Sequence, residues 1–202
     1  MEYSINFKND STQVGSACIF QTDPDLGVHD VLSLAWFCKP AFPTTQLQFK
    51  WNINYCYTWS RQGTLRPGVV YKASQTWNAD LTNKNAVDFR KDIELDAYTF
   101  ENQTAGPKDG HMYIYEKRSV AANECAVGIG MSGSGTFVVN SQPNMQLQFS
   151  PHPKYWIVFG SFEEGEVLDI EKVTATAQEI AFPVNQYAMN VTLNGDNTWT
   201  VS

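Results

Sequence analysis

The most regular hydrophobic pattern in the chain lies between Gln46 and Ser60, where apolar and polar side chains alternate without interruption. The large apolar side chains occupy the odd positions: Leu47, Phe49, Trp51, Ile53, Tyr55, Tyr57 and Trp59. A period of two places such side chains on one face of a β-strand. At about 3.3 Å per residue an unbroken strand of this length would extend for about 50 Å, so we expect a bulge or bend partway along it.

The same period recurs near both ends of the chain. Apolar residues alternate from Tyr3 to Phe7, from Met145 to Phe149 and from Tyr187 to Leu193, and the turn-forming segment Asn194–Asn197 then predicts a C-terminal β-hairpin. The segment Val31–Phe37 fits either a buried strand or two helical turns. These patterns predict an all-β fold, an antiparallel β-sandwich of the jelly-roll or immunoglobulin-like type with little helix. Its 202 residues are consistent with a single domain spanning 1–202.

Two further segments affect the organisation of this domain. The tetrapeptide QLQF occurs at Gln46–Phe49 and again at Gln146–Phe149. A repeat at this offset fits two similar halves, and so short a match also arises by chance in β-rich chains. The polar stretch Lys72–Lys91, which contains Trp77, breaks the alternation and predicts a long surface loop.

Composition and charge restrict the classes of partner. The chain is 43% hydrophobic and 13% aromatic, with a formal net charge of -7. An acidic surface repels phosphate backbones, so we expect no nucleic-acid partner. The first eight residues resemble no signal peptide, and no segment has the length and apolar character of a transmembrane span. We therefore predict a cytoplasmic protein, or one released without a general signal peptide, whose four cysteines are reduced.

A literal G-x-G-x-x-G is formed by Gly128, Gly130 and Gly133. In a dinucleotide site this pattern precedes a helix that binds the pyrophosphate. Here the β-forming run Thr136–Val139 follows, and no acidic residue lies at the required distance. We therefore expect no cofactor, and we interpret the glycines as positions where strands approach closely or bulge.

Other groups of chemically active residues give only weak indications of a functional site. Asp23–Asp30 contains three carboxylates and His29, which could bind a metal, but Asp, Pro and Gly also form ordinary turns. We favour a solvated turn and predict no metal site. The histidines lie on separate segments, and no nucleophile motif is complete, so we predict no catalytic residues.

Aromatic residues outside the alternating strands are the remaining candidates for ligand binding. Trp77 lies in the polar stretch, while Tyr155 and Trp156 follow the proline-rich turn that contains His152. Exposed aromatic rings stack on sugars or lie at lipid interfaces. We take Trp77, His152, Tyr155 and Trp156 as the candidate ligand-binding residues, with a role in the core or in anchoring loops as the alternative.

Five segments resemble the RhiA proteins, a family named for a rhizosphere-expressed relative in a nodulating bacterium. They are Val31–Pro40 (VLSLAWFCKP), Ser60–Val69 (SRQGTLRPGV), Val127–Val139 (VGIGMSGSGTFVV), Phe149–Ile170 (FSPHPKYWIVFGSFEEGEVLDI) and Leu193–Val201 (LNGDNTWTV). The likeness covers nearly the whole chain. It implies quorum-regulated, plant-associated expression, and it supplies no established reaction and no catalytic residue.

These observations predict a non-enzymatic recognition protein that binds a glycan, a lipid surface or a protein partner through aromatic loops. One alternative is an enzyme or carrier for a small ligand or metal, with its site around His152 or Asp23–Asp30. A second alternative is a self-assembling structural protein, because edge strands of a sandwich can pair between chains to form a homo-oligomer.

Overall fold

The computed structural model describes residues 2–23 and 25–202 and consists mainly of β-strands. The strands of the N-terminal part are β1 (Glu2–Asn9), β2 (Gly15–Thr22), β3 (Leu32–Ser33), β4 (Ala35–Ala41), β5 (Gln46–Asn52), β6 (Tyr55–Ser60), β7 (Gln75–Asn78), β8 (Ala86–Asp92) and β9 (Ala97–Thr104). Those of the C-terminal part are β10 (Met112–Glu116), β11 (Ala126–Met131), β12 (Ser134–Asn140), β13 (Gln146–Phe149), β14 (Lys154–Gly160), β15 (Gln178–Ile180), β16 (Ala188–Leu193) and β17 (Trp199–Val201). One short helix, α1 (Ile170–Thr174), is found within the described residues.

The strands form four sheets. Sheet 1 has the order β17-β16-β1-β5, sheet 2 β15-β14-β2-β4, sheet 3 β3-β12-β11-β6-β7 and sheet 4 β13-β10-β8-β9. Most neighbouring strands are antiparallel, but β1 pairs with β16 and β10 pairs with β8 in parallel. The predicted all-β fold with little helix is confirmed.

Two hydrophobic cores lie between pairs of sheets. Sheets 1 and 2 enclose Ile5, Trp51 and Ile157, and we call this pair the first sandwich. Sheets 3 and 4 enclose Tyr57 and Phe149, and we call this pair the second sandwich. Each core buries large side chains at alternating strand positions, so the period-two pattern in the sequence marks the inward faces of both sandwiches.

The long alternation from Gln46 to Ser60 contributes to both sandwiches. Its first part is β5 in sheet 1 and its second part is β6 in sheet 3, with Ile53 and Asn54 outside either strand. The predicted interruption is therefore confirmed, and it marks the point at which the chain leaves one sandwich for the other. Ile53, which belongs to the apolar series, is 43% exposed at this crossing.

Other predicted elements are partly confirmed. The C-terminal hairpin is present as β16 and β17, and the ambiguous segment Val31–Phe37 is extended, in β3 and β4. The prediction of a long loop over Lys72–Lys91 is wrong, because β7 and most of β8 lie there. β7 is an edge strand, whose solvent-facing residues are polar, so its sequence lacks the apolar alternation of a central strand.

The glycine motif forms a β-hairpin of β11 and β12, without a helix. A Cβ atom at Gly128 would lie 2.0 Å from the carbonyl oxygen of Phe137, and one at Gly130 would lie 2.1 Å from that of Ser134. The register also shifts immediately before Gly130. The interpretation that the glycines permit close strand packing and a bulge is confirmed for Gly128 and Gly130, whereas Gly133 lies in the hairpin turn with a positive φ of 79°.

The prediction of four reduced cysteines is wrong for one pair. Cys18 and Cys38 lie directly opposite each other on β2 and β4 and form a disulfide. The other two, Cys56 and Cys125, are buried free thiols. The pairing depends on strand register, so the spacing of the cysteines along the chain gave no sign of it.

The two sandwiches share one pattern of strand pairing. In sheet 1 the strands β17, β16, β1 and β5 are joined by antiparallel, parallel and antiparallel pairings, and β9, β8, β10 and β13 of sheet 4 repeat this series. In sheet 2 the strands β15, β14, β2 and β4 are all antiparallel, as are β7, β6, β11 and β12 of sheet 3. The sandwiches differ in one connection: β11 and β12 are joined by Ser132 and Gly133, whereas the connection between the matching strands β2 and β4 is much longer and contains β3.

Candidate functional site

A groove of about 440 Å³ opens where sheet 2 meets sheet 3 and helix α1. We call it the Trp156 groove. Its apolar lining comes from Trp156 together with Val31, Phe137 and Ile170. Its polar lining comes from Thr22, Asp23, Ser33, Lys154 and Thr174. An apolar groove with a few convergent polar groups is the usual form of a small-ligand site.

The indole ring of Trp156 is held in a fixed orientation. Its Nε1 donates a hydrogen bond of 2.9 Å to the hydroxyl of Thr22 on the neighbouring strand β2. The ring also stacks on Phe20, with 6.2 Å between centroids and 18° between planes. Trp156 is therefore anchored by both its polar edge and one apolar contact, while part of its surface remains accessible from the groove.

Asp23 lines the same groove, and its carboxylate is positioned by the backbone. The amide N–H groups of Asp25 and His152 donate hydrogen bonds to it. Burial raises the pKa of the Asp23 carboxyl, although the hydrogen bonds from His152 and Asp25 partly oppose that effect. A half-buried carboxylate is a strong hydrogen-bond acceptor. A ligand hydroxyl that reached it would donate a hydrogen bond in place of the water that burial removes.

The long connection from β2 to β4 builds one wall of the groove. Fourteen residues separate Phe20 from Ala35, whereas four separate the matching pair Gly130 and Gly135 in the second sandwich. The groove residues Thr22, Asp23, Val31 and Ser33 all belong to this segment or to its start. Trp156 lies opposite Phe20, and in the second sandwich Cys56 of β6 lies opposite the matching residue Gly130. The features that create the groove are thus those in which the first sandwich departs from the second.

Three of the four predicted ligand-binding residues do not line the groove. Tyr155 precedes Trp156 on β14, so its ring projects to the opposite face and packs in the first core, 5.1 Å from the ring of Trp51. Trp77 lies on β7 and packs against Phe100 of the second core.

His152 is exposed, and its ring Nδ1 lies 3.0 Å from the carbonyl oxygen of Ser150. Its contribution to the groove is the backbone N–H that holds Asp23. His152 therefore acts as a positioning residue for a groove carboxylate, and Trp156 is the predicted residue whose side chain lines the groove.

The other groove residues were only partly predictable from the sequence. Asp23 opens the acidic segment Asp23–Asp30, which we interpreted as a solvated turn or a metal site; Pro24 lies outside the described residues. The remainder of that segment is largely exposed, and no group of three or more potential metal ligands occurs among the described residues. Ser33 and Thr174 carry no motif, and their role emerges only when β3 and α1 are brought together.

Among the residues that the structure describes, no helix has both the length and the apolar character needed to cross a bilayer.

Comparison with known proteins places the chain among one group of relatives. The sequence model of the RhiA family matches it from residue 1 to residue 202. The chain is 34% identical over 204 residues to Protein RhiA of Rhizobium leguminosarum bv. viciae, and the alignment covers all of this chain and 86% of that protein. No solved structure matches the chain at a significant level.

Proposed function

The chain belongs to the RhiA family along its whole length, and we propose that it is a non-enzymatic recognition protein that binds a saccharide in the Trp156 groove. The observation that carries this proposal is that one groove is lined by both a fixed indole ring and a half-buried aspartate. A sugar ring has an apolar C–H face and a rim of hydroxyl groups. It would stack on Trp156 while its hydroxyls reach Asp23, Ser33 or Thr174.

The organisation of the groove favours a sugar over an extended lipid surface. The indole is recessed beside polar groups instead of projecting from a loop tip, and its Nε1 is already bonded to Thr22. Lys154 adds a cationic group at the rim, which would favour a saccharide that carries a carboxylate or sulfate. The fixed ring lowers the entropic cost of binding, because Trp156 need not be ordered by the ligand.

A glycan array followed by calorimetry on the strongest binder would test the proposal. We expect Trp156→Ala to weaken binding at least tenfold, Asp23→Asn to weaken it less, and Trp156→Phe to retain part of the affinity. Trp77→Phe is the matched control, because Trp77 is partly buried in the second sandwich and away from the groove. Circular dichroism would establish that each variant is folded.

Other outcomes would overturn the proposal. If no glycan binds and vesicles instead shift the tryptophan emission in a Trp156-dependent way, the groove recognises lipid. If the bound saccharide is recovered cleaved or modified, the protein is an enzyme. If Trp156→Ala and Trp77→Phe bind as tightly as the parent chain, the site lies elsewhere.

The proposal extends to where the protein acts. The Cys18–Cys38 disulfide favours an oxidising compartment over the cytosol. It thus favours release, and glycan recognition outside the cell would suit the plant-associated, quorum-regulated expression that the family resemblance implies. Immunoblots of culture supernatant and lysate, run without reductant at low and high cell density, would test this. A protein found only in the lysate with both cysteines reduced would contradict it.

A further inference from the structure

We infer that the chain is an intertwined pair of copies of one eight-stranded unit, in which residues 2–104 and 112–201 are each other's folding partner. This inference is independent of the ligand in the Trp156 groove. It rests on the order of strands along the chain, on matched registers and on the origin of the strands in each sandwich.

The strand order along the chain repeats. The first half runs β1, β2, β4, β5, β6, β7, β8 and β9, and the second half runs β10 to β17. When β1 is matched to β10, β2 to β11 and so on in this order, each pairing in sheets 1 and 2 has a counterpart of the same direction in sheets 3 and 4. Only β3, which belongs to the long connection of the first half, has no counterpart.

The registers match residue by residue. Ile19 on β2 lies opposite Phe37 on one side and Ile157 on the other. At the matching position of β11, Ile129 lies opposite Phe137 and Tyr57. Both strands have a register shift immediately after the isoleucine, toward β4 and β12 respectively. Because a bulge is a specific local feature, its recurrence at the same position favours a common origin over a coincidence of topology.

The sequence retains traces of the same relation. The two QLQF tetrapeptides lie on the matching edge strands β5 and β13, and their phenylalanines are both buried in the cores. Identical residues stand at further matched positions: Ile19 and Ile129, Phe37 and Phe137, Leu47 and Leu147, Phe49 and Phe149, and Tyr55 and Tyr155. The hypothesis of two similar halves is thus favoured over a chance match.

Neither half contains a complete sandwich. The first sandwich takes β1, β2, β4 and β5 from the first half and β14 to β17 from the second. The second sandwich takes β6 to β9 from the first half and β10 to β13 from the second. The halves are therefore joined by the parallel pairs β1–β16 and β8–β10 and by the antiparallel pairs β2–β14 and β6–β11. This is the arrangement of an exchanged dimer whose two copies have become one chain.

The separate halves would expose what the intact protein buries. Each would carry unpaired central strands and the inner faces of two incomplete sandwiches, with side chains such as Ile5, Ile19 and Ile114 open to water. Such surfaces are unstable in isolation. The partner that each half fits is therefore another copy of the eight-stranded unit.

Cleavage of the full chain between the halves tests the inference. The segment 105–111 joins β9 to β10, and Pro107, Lys108 and Asp109 are exposed there, so a protease recognition sequence can be inserted between Lys108 and Asp109. We expect the cleaved protein to remain a 1:1 complex in which unfolding and dissociation occur together. Its Tm should therefore rise with protein concentration, while the Tm of the same insertion variant left uncut should not.

The fragments provide a second measurement. After separation in urea, each should lack the native near-UV circular dichroism, and mixing them should restore it. A fragment that regains it by forming a homodimer would also support the inference. A fragment that is natively folded as a monomer would overturn it. If a fragment precipitates, the cleaved complex decides, and dissociation of its halves without loss of near-UV signal overturns the inference.

Discussion

Glu116 is a carboxyl group buried in the second sandwich, with 3% of its surface exposed. Among the described residues its oxygens accept hydrogen bonds only from the backbone N–H of Gln142, at 3.3 and 3.4 Å. Burial raises the pKa of this carboxyl to about 8, from 4.5. Between these two values the folded protein keeps a proton that the unfolded chain releases, so Glu116 reduces stability progressively as the pH rises.

Substitution Glu116→Gln should remove this pH dependence, because an amide keeps the shape of the protonated acid and does not ionise. The free energy of unfolding of the variant, relative to that of the parent chain, should increase between pH 5 and pH 8 by at least about 1.4 kcal/mol. Urea unfolding at the two pH values measures this difference. If the variant and the parent chain differ by the same free energy of unfolding at both pH values, Glu116 is ionised in the folded protein.

The Cys18–Cys38 disulfide supports the base of the long connection that lines the groove. It lies in a cluster with Phe20, Trp156 and Ile170, so the bond and the groove share their packing. Replacing both cysteines with alanine should lower the free energy of unfolding by about 3 kcal/mol, since the unfolded chain loses a short closed loop. Urea unfolding with and without dithiothreitol should show a reductant effect for the parent chain and none for the double variant. An equal effect on both proteins would contradict the assignment.

At the scale of elements, the connection between β2 and β4 distinguishes the two sandwiches, and it can be exchanged. Replacing residues 22–33 with Ser-Gly copies the connection formed by Ser132 and Gly133. The variant should lose saccharide binding, because it removes Thr22, Asp23 and one wall around Trp156. It should keep its far-UV circular dichroism, with a lower Tm because the buried Leu26 is lost. Retained binding would exclude the Trp156 groove as the site.

Strands that alternate clearly were predictable, whereas their assignment to sheets was not. The pattern from Leu47 to Trp59 has the same period on both sides of Ile53, because the large apolar side chains of both parts pack in a core. Which core each part faces depends on pairing partners far away in the sequence. β7 was missed for the opposite reason, since an edge strand can be stable with only Trp77 packed against the core.

The same distinction applies to the site. Trp156 was predicted from its type and its neighbours, but the adjacent Tyr155 was predicted with equal weight. The alternation of side chains on β14 sends one ring to each face, and only the packing of Trp51 on one side and α1 on the other decides which ring is accessible. The groove is lined by residues of four segments: the β2–β4 connection with its start, β12, β14 and α1. Local sequence could therefore indicate individual residues but not that they lie together.

At the scale of the whole molecule, the two cores share residues and a connecting cluster. The side chain of Met131, a residue of sheet 3, packs in the first core, and Tyr55 contacts both cores. A further cluster places residues from the long connections against the outer face of sheet 3: Leu34, Leu65, Tyr71, Ala126, Val138 and Val167. Strand β3 also pairs with β12 although its neighbours along the chain belong to the first sandwich.

These connections predict that the protein unfolds as a single domain. Scanning calorimetry should show one transition whose van't Hoff enthalpy equals the calorimetric enthalpy, about 140 kcal/mol near 60 °C for a chain of this length. Val191→Ala in the first core and Val127→Ala in the second should each lower the same Tm, because unfolding of either core exposes the strands that both halves share. Two transitions, each sensitive to only one of these substitutions, or a van't Hoff enthalpy near half the calorimetric value, would mean that the sandwiches unfold independently.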